Sequence, residues 1–345
     1  MPLIVFLPSV AGLVASLCCL VVIHRAHKWK LIDSPNSRSS HNAPTPSGGG
    51  IGLTLAGSVT GVYLLQSSSV LFHGQIVLVI SCVLAAVGLL DDRKPLPAVW
   101  RLVIHVAMGA ALLFVLGGLP EMQRFVDAWF SRTLIYALLL LVIVWWINLF
   151  NFMDGIDGLA GMQTTFMLLA AAALLVLPRQ QLIFEPTIVW MLCIAGATTG
   201  FLLLNWAPAR IFMGDVGSMY LAFMILSFGL LSIRNELIPV VTGLAMWAIL
   251  GATFATDATI TLITRILTVK RWHEAHRNHL YQRLARRYSS HRQATLIYLS
   301  VNVLWLLPMA FVCITYPQWA VAWAALAYLP LIVLAVRLGA GKSVK

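Results

Sequence analysis

Long apolar runs recur along the chain, each roughly 18–22 residues in length, which is what a helix needs to cross the hydrocarbon core of a bilayer. The runs are continuous and do not alternate between apolar and polar residues, so they are typical of helices and not of membrane β-strands. Hydrophobic residues make up 60% of the sequence and charged residues only 10%, which argues against a disordered chain or an ordinary soluble domain. We therefore predict an all-α polytopic membrane protein.

The apolar runs predict about eleven transmembrane helices in one integral-membrane domain that covers residues 1–345. The first run, Leu3–Ile23, has no basic segment before it and no small-residue cleavage site, so we interpret it as an uncleaved span with the N-terminus outside. An odd number of spans then places the C-terminus in the cytoplasm. The predicted spans are 3–23, 51–71, 75–90, 98–119, 132–150, 160–177, 188–204, 216–232, 237–262, 293–314 and 319–338.

The basic residues are distributed unevenly between the two sides of this predicted topology. Of the 23 lysines and arginines, 19 fall in or beside the predicted cytoplasmic segments, as the positive-inside rule requires. This asymmetry explains the net charge of +11 without a nucleic-acid partner, and a basic face also attracts anionic headgroups or a phosphorylated ligand. The predicted cytoplasmic loops are 24–50, 91–101, 151–160, 205–215 and 263–292.

Eight of the twelve acidic residues lie at or near the predicted cytoplasmic ends of spans. Asp91 and Asp92 are adjacent carboxylates at the end of the third span. Because they repel each other, we expect a cation beside them, either a metal ion or the two basic residues that follow. An ordinary charge cluster at a helix end is the alternative. Asp215 enters the eighth span between two glycines, where it is either a metal or phosphate ligand or a plain helix cap.

The third acidic cluster is the stretch NLFNFMDGIDGLAG, with polar residues at three-residue intervals: Asn148, Asn151, Asp154 and Asp157. Steps of three residues drift by about 60° in a regular helix, so the four side chains would spread over half its circumference. Gly155 and Gly158 permit a break that lets the side chains converge. The three clusters therefore predict carboxylates and amides at one face of the membrane, which are the donors that Mg²⁺ or Mn²⁺ prefers beside a phosphorylated substrate.

Two further polar segments have open interpretations. Segment 269–287 carries five arginines and three histidines at three-residue intervals, and we interpret it as a basic, anion-binding arm, with a zinc site or an ordinary basic loop as alternatives. Segment 33–52 combines prolines and glycines into a shaped loop, whose Arg38 and His41 are candidates to face an anion.

Two features inside predicted spans also require an explanation. Asp257 is an acid within an apolar run, which indicates a functional position or a pairing with Arg265. Gly57 and Gly61 stand four residues apart in the second span, which favours close helix packing.

Taken in order, these motifs resemble those of the polyprenyl-phosphate N-acetylhexosamine-1-phosphate transferases, which form glycosyltransferase family 4, and the O-antigen-initiating type is the most similar. The resemblance covers nearly the whole chain, and the ordered set is far more specific than any single motif. The motifs are DxPxxRxxH with PxPxGGG (33–50), GLLDD (88–92), NxxNxxDGxDGLAG (148–161), NxxPAxxFMGDVGS (205–218) and HRxHLYQRL (276–284).

The resemblance implies transfer of a sugar-1-phosphate from a UDP-N-acetyl sugar to undecaprenyl phosphate, giving a polyprenyl-pyrophosphoryl-sugar and UMP. It implies an active site at the cytoplasmic face of a bacterial inner membrane, a requirement for Mg²⁺ with Mn²⁺ as the other candidate, and contact with membrane lipids. A homodimer is a candidate assembly.

The resemblance also implies roles for individual residues. Catalytic roles fall on Asp91, Asp92, Asp154 and Asp157. Metal-binding roles fall on Asp215 and Asn151, and we expect Asn151 to lie nearer the metal than Asp157 does. Substrate-binding roles fall on Asn148, Asn205, Phe212, Arg101, Arg277, His279, Arg38 and His41.

Two other functions compete with the transferase. Intramembrane acids and broken helices also suit a secondary transporter, although transporter sites lie near the midplane of the bilayer and these acids collect at span ends. The stretch DGIDGLAG is superficially similar to the signature of the CDP-alcohol phosphotransferases, but the arginine and the later aspartates of that signature are missing.

Overall fold

The computed structural model describes residues 2–35, 43–66, 71–117, 129–268 and 276–342, and these form a bundle of long helices with one short two-stranded sheet. The helices are α1 Pro2–Trp29, α2 Gly50–Gln66, α3 Leu71–Arg93, α4 Ala98–Val115, α5 Trp129–Met153, α6 Leu159–Val176, α7 Pro186–Asn205, α8 Gly214–Arg234, α9 Val240–Leu250, α10 Ala252–Thr268, α11 Leu280–Tyr288, α12 His291–Val301, α13 Leu307–Thr315 and α14 Ala320–Arg337. The strands β1 Ile32–Asp33 and β2 Thr45–Pro46 pair antiparallel.

Short irregular helices complete the described part. They are the 3₁₀ turns Gln180–Phe184 and Pro317–Trp319 and the π turn Asn302–Leu306, which joins α12 to α13. Because the π turn continues both neighbours, α12 and α13 together form one membrane-length helix, His291–Thr315.

Nine of the described helices are long and apolar enough to cross a membrane, and a tenth span results if the bent pair of α9 and α10 is counted as one. The shorter apolar helix α2, with 17 residues, occupies the position of the remaining predicted span. The prediction of an all-α polytopic membrane protein is confirmed. The compartment that each end faces stays a prediction.

The ninth predicted span differs from the structure. Segment 237–262 was expected to form one helix, but α9 and α10 meet at Gly251 with a bend of 71°. The expected basic arm at 269–287 also contains a regular element, the short amphipathic helix α11. Apolar composition alone does not reveal a bend, because both halves are apolar.

The centre of the bundle is α8. In its most apolar stretch 94% of the residues are buried, compared with 17% for α1. Large side chains of α8 such as Tyr220, Phe223 and Phe228 are fully buried. The peripheral helices therefore face lipid on much of their surface, whereas α8 is surrounded by protein.

Glycines allow α2 to approach its neighbours closely, as predicted for Gly57 and Gly61. A Cβ atom added to Gly57 would lie 2.3 Å from the side chain of Ile194, and one added to Gly61 would lie 2.6 Å from the ring of Trp190. The Trp190 indole N–H also donates to the carbonyl oxygen of Gly57 at 3.0 Å. The role of these two glycines in packing is confirmed.

A buried polar network fixes the bend between α9 and α10. Gln163 of α6 donates through its side-chain amide to the carbonyl oxygen of Leu250, at 3.0 Å. Its own carbonyl accepts from the Asn302 amide at 2.7 Å and from the Thr253 hydroxyl at 3.2 Å. Because Gly251 interrupts the regular helix, the Leu250 carbonyl needs a partner that lipid cannot supply, and Gln163 provides it.

The connections at one end of the bundle form what we call the polar end, made of residues 30–35, 43–49, 94–97, 154–158, 206–213 and 276–290. Backbone hydrogen bonds join these connections: Gly49 N–H donates to the carbonyl of Phe212 at 2.8 Å, and Phe212 N–H donates to that of Pro46 at 2.8 Å. At the opposite end, the Arg234 side chain donates to the carbonyl of Leu116 at 3.0 Å.

We expect Gln163→Leu to destabilise the protein by about 1–3 kcal/mol, because it leaves the Leu250 carbonyl and the Asn302 amide without partners in a buried site. Thermal unfolding of the purified protein in detergent measures the change. Ser300→Ala is the matched control, since that exposed hydroxyl bonds only to Leu296 of its own helix. A Gln163→Leu variant that unfolds at the parent temperature would contradict the assigned role.

Candidate active site

One cavity of about 410 Å³ opens at the polar end, where the connections between the helices meet. Carboxylates and amides dominate its wall, and this composition is unusual at the end of so apolar a bundle. The lining residues are Leu31, Ile32, Asp33, Ser47, Asp92, Asn151, Asp154, Gly155, Ile156, Asp157, Asn205, Phe212, Met213, Gly214, Asp215, Gln282 and His291.

Asp92 joins the end of α3 to the start of α8. Its two carboxylate oxygens accept from the backbone N–H groups of Asp215, at 2.7 Å, and Val216, at 3.2 Å. Gly214 makes this contact possible, because its φ of +73° belongs to the left-handed region and a Cβ there would lie 2.5 Å from Asp92 Oδ2. Asp92 therefore caps α8 and presents Asp215 to the cavity.

Asp91 is buried and does not line the cavity. Its oxygens accept from the backbone N–H of Leu96 at 2.6 Å and from Arg101 Nη1 at 3.0 Å. The same Arg101 nitrogen lies 3.8 Å from Asp215 Oδ2. Asp91 thus holds the Arg101 guanidinium beside the cavity. Arg101 is the residue for which the resemblance implies a substrate-binding role.

The break predicted in the asparagine–aspartate run is present. Helix α5 ends at Met153, and α6 starts after Gly158, whose φ is +76°. Asn151, Asp154 and Asp157 all line the cavity as a result. Asn148 does not, because its amide contacts His105 at 3.2 Å and donates to the Val144 carbonyl at 2.7 Å.

Asp154 is the cavity carboxyl without a hydrogen bond or an ion pair in the described part of the chain. Burial raises its pKa well above the ordinary value, and the negative charges of Asp215, Asp92 and Asp157 raise it further. A cavity in which carboxylates repel one another in this way is more stable with a bound cation.

Asp157 and Asn205 line the cavity but are largely engaged by the surrounding loops. Asp157 accepts from the backbone N–H of Ala209 at 3.1 Å, and its other oxygen lies 3.2 Å from His291 Nδ1. Asn205 accepts from Gly158 N–H at 3.0 Å and donates to the Ile211 carbonyl at 2.8 Å. Both side chains therefore hold the 154–158 and 206–213 connections together.

The histidine at the start of α11 lies outside the cavity. His279 is buried, stacks on His276 and on Tyr281 with ring centroids 5.1 and 5.6 Å apart, and places Nδ1 3.4 Å from Asp257 Oδ1. Arg277 does not line the cavity either. Its backbone carbonyl accepts from the Arg286 side chain at 2.8 Å. Arg38, His41 and His273 lie outside the described residues, so their predicted roles stay predictions.

Asp257 has a structural role that the sequence did not reveal. Its oxygens accept from the backbone N–H groups of Leu280, at 2.8 Å, and Tyr281, at 3.0 Å, and from the Tyr298 hydroxyl at 2.6 Å. It therefore caps α11 as Asp92 caps α8. The Tyr281 hydroxyl then donates to the carbonyl of Phe152 at 2.9 Å, which ties α11 to the cavity wall.

Sequence reasoning assigned no site role to four polar residues that line the cavity: Asp33, Ser47, Gln282 and His291. Asp33 and Ser47 belong to the shaped loop at 33–52, whose prolines and glycines were a usable signal. His291 begins α12 after the N-cap Ser290 and carries no motif of its own. Its place beside Asp157 follows from packing between distant segments.

The chemistry of the donors fits a hard divalent cation. No group of three or more His, Cys, Asp or Glu residues is arranged around a single point in the described ranges. Mg²⁺, however, retains several waters and takes only one or two protein carboxylates beside substrate phosphates. Asp215, Asp154 and Asn151 all line the cavity and supply donors of this kind, and the mutual repulsion of the carboxylates at Asp154 also favours a cation.

Comparisons with known proteins identify the family of this chain. The family model described as "Glycosyl transferase family 4" matches residues 75–233. The chain is 28% identical to the "Probable undecaprenyl-phosphate N-acetylglucosaminyl 1-phosphate transferase" of Bacillus subtilis, covering 80% of this chain and 76% of the relative. It is 29% identical to the decaprenyl-phosphate N-acetylglucosaminephosphotransferase of Mycobacterium leprae, covering 81% and 76%.

A third relative shares slightly more of its residues over a shorter alignment. The phospho-N-acetylmuramoyl-pentapeptide-transferase of Moorella thermoacetica is 30% identical, covering 69% of this chain and 77% of the relative. The transporter alternative receives no support, because these relatives are all transferases. The chain therefore belongs to glycosyl transferase family 4, the membrane enzymes that transfer N-acetylhexosamine-1-phosphates to polyprenyl phosphates.

Proposed function

We propose that this chain transfers N-acetylglucosamine-1-phosphate, or a closely related N-acetylhexosamine-1-phosphate, from a UDP-sugar to a polyprenyl phosphate such as undecaprenyl phosphate. The observation that carries the proposal is the convergence of Asn151, Asp154 and Asp215 on one cavity at the end of a membrane-spanning bundle. The cavity, at about 410 Å³, falls in the size range of small-molecule sites. The names of the relatives support the sugar and the lipid.

The reaction is a displacement at phosphorus. An oxygen of the polyprenyl phosphate forms a bond to the β-phosphorus of the donor, and the bond from that phosphorus to the bridging oxygen breaks. The bridging oxygen keeps the electron pair and leaves as UMP. A phosphate monoester has a second pKa near about 6, so the attacking group is already ionised at neutral pH and needs no strong base.

The hydrogen bonds of the acid pair favour direct attack over a covalent aspartyl intermediate. Both oxygens of Asp91 and both oxygens of Asp92 already accept hydrogen bonds from the protein. A carboxylate nucleophile must face the phosphorus, but Asp91 does not line the cavity and both oxygens of Asp92 are directed at N–H groups of α8. We therefore assign these carboxylates to positioning Arg101 and the start of α8. Arg101 then offsets negative charge that develops on the phosphates.

We propose Mg²⁺ as the cofactor, held by Asp215 and Asp154 with the amide of Asn151. When bound, such an ion neutralises the pyrophosphate and stabilises the leaving UMP. Asp157 and Asn205 keep the connections that carry these groups in place. Under this proposal Asn151 lies nearer the metal than Asp157 does, which stays a prediction.

The proposed location is a bacterial inner membrane with the polar end in the cytoplasm, where nucleotide sugars are made. The bias of lysine and arginine toward the loops of the polar end supports this orientation. The product would initiate a cell-envelope glycan, of which O-antigen is one candidate.

We expect UMP release from UDP-N-acetylglucosamine only when both polyprenyl phosphate and Mg²⁺ are present. The acceptor dependence follows from direct displacement, and the metal dependence from the crowded carboxylates. A coupled UMP assay, with mass spectrometry of the lipid product, measures both. A broad panel of UDP-N-acetyl sugars that yields no UMP, or uptake of an unchanged substrate into proteoliposomes, would contradict the proposal.

We expect Asp215→Asn to lower the rate of UMP release by about 100-fold or more, because it removes a charged group from the site where charge develops. The melting temperature should stay near that of the parent, since Asp92 and not the Asp215 side chain accepts from the first N–H groups of α8. The control is Glu236→Gln, an exposed acid at the opposite end of the bundle. A fully active Asp215→Asn variant would exclude a role in metal binding.

We expect Asp92→Ala to lower both activity and stability, the latter by about 1–2 kcal/mol, because two N–H groups of α8 lose their acceptor. Asp154→Asn, a second substitution in the same cavity, should leave the unfolding temperature unchanged or raise it, since the repulsion at Asp154 disappears. Thermal unfolding of both variants tests the contrast. If Asp92→Ala unfolds at the parent temperature, the capping role is wrong.

A further inference from the structure

Helix α11 lines two different cavities, and only one of them is the candidate active site. On one side Gln282 lines the active cavity and Tyr281 bonds to the carbonyl of Phe152. On the other side Leu280, Leu284 and Arg287 line a different cavity of about 240 Å³. We call this second space the lateral cavity; it lies between α10, α11, α12 and α14.

The lateral cavity is apolar inside. Side chains of Ile297, Val301, Leu331 and Leu334 form its walls, and Ala335 lies among them. Thr256 also lines the cavity and is 5% exposed. Its buried hydroxyl has no hydrogen-bond partner in the described ranges. The space therefore suits a long apolar chain that carries a polar group near one end.

Arginines surround a neighbouring space of about 340 Å³ that shares Leu280, Leu284, Arg287 and Leu338 with the lateral cavity. The residues that this second space adds are Arg283 and Arg286. Leu338 follows directly on the end of the span α14. A cationic mouth thus leads into an apolar interior at the level where a membrane span ends.

The charges at this mouth are not neutralised by carboxylates of the described chain. Arg287 is exposed and forms no hydrogen bond or ion pair there. Arg283 donates to the backbone carbonyls of Leu338 and Lys342, both at 3.1 Å, and Arg286 donates to a backbone carbonyl as well. The Asp257 carboxylate, which lines the lateral cavity, is already occupied by the N-terminus of α11.

We propose that one anionic phospholipid of the surrounding bilayer binds here, with its phosphate at Arg283 and Arg287 and an acyl chain in the lateral cavity. Basic pockets between spans at the cytoplasmic side are the sites where anionic headgroups are held. A bilayer lipid fits better than the reacting polyprenyl phosphate, because α11 stands between this mouth and the carboxylates of the active cavity. The lipid would fasten α11, whose other side carries Gln282.

The test is native mass spectrometry of the full-length protein titrated with phosphatidylglycerol and, separately, with phosphatidylcholine. We expect one phosphatidylglycerol to bind per chain in preference to phosphatidylcholine. Arg287→Gln should weaken that binding about 5-fold, and the double variant Arg283→Gln/Arg287→Gln about 30-fold, at about one charge contact each. Arg287→Gln breaks no internal hydrogen bond, so misfolding does not explain its effect.

Two further variants separate the headgroup from the chain. Val301→Phe narrows the lateral cavity without changing charge, and it should weaken binding of phosphatidylglycerol but not of a short-chain analogue. Arg25→Gln is the matched control, an exposed arginine at the end of α1 on the same face, and it should leave binding unchanged.

Several outcomes would overturn the proposal. Equal binding of the two phospholipids would show a site without charge selection. An equal effect of inorganic phosphate on thermal unfolding would show a soluble-anion site. Displacement of the phospholipid by polyprenyl phosphate at equal concentration would assign the site to the carrier lipid. None of these measurements depends on catalysis, so they test the lipid site separately from the proposed transferase activity.

Discussion

The start of α8 depends on a carboxylate that comes from another helix. The first N–H groups of any helix lack partners within it, and the aligned peptide dipoles make that end positive. At the buried end of α8 water cannot satisfy these groups freely, and Asp92 accepts from two of them. The contact also requires α3 to approach closely: a Cβ on Gly88 would lie 2.4 Å from the carbonyl oxygen of Asp215. Asp215 reaches the cavity because this junction is tight.

The same solution appears a second time at the polar end. Asp257 of α10 accepts from the first N–H groups of α11, although α11 is short and amphipathic where α8 is long and apolar. In both cases a carboxylate in an apolar helix is satisfied by the positive end of a neighbour, which reduces the cost of burying the charge. Acids near span ends therefore serve two purposes here: some organise the backbone, and others remain available for chemistry.

Much of the architecture was predictable from the sequence, because span length and glycine spacing are local signals. The convergence of the acidic clusters was predictable too, since each cluster sits at a span end. The distribution of roles among the acids was not. Nothing in GLLDD distinguishes Asp91, which holds Arg101, from Asp92, which caps α8. The contact of His291 with Asp157 spans 134 positions, and only the folded packing reveals it.

The bend at Gly251 has a geometrical consequence for how a membrane-bound substrate can arrive. Two helices that differ in direction by 71° cannot both run along the bilayer normal, so at least one is inclined to it by about half that angle or more. At about 1.5 Å per residue, α9 with 11 residues is too short to traverse the hydrocarbon core alone. The outward residues Ile263, Ile266 and Leu267 of α10 are exposed. At this point the bundle therefore presents an apolar face of α10 to the lipid, and a molecule with a long apolar tail that diffuses along this face stays within the leaflet.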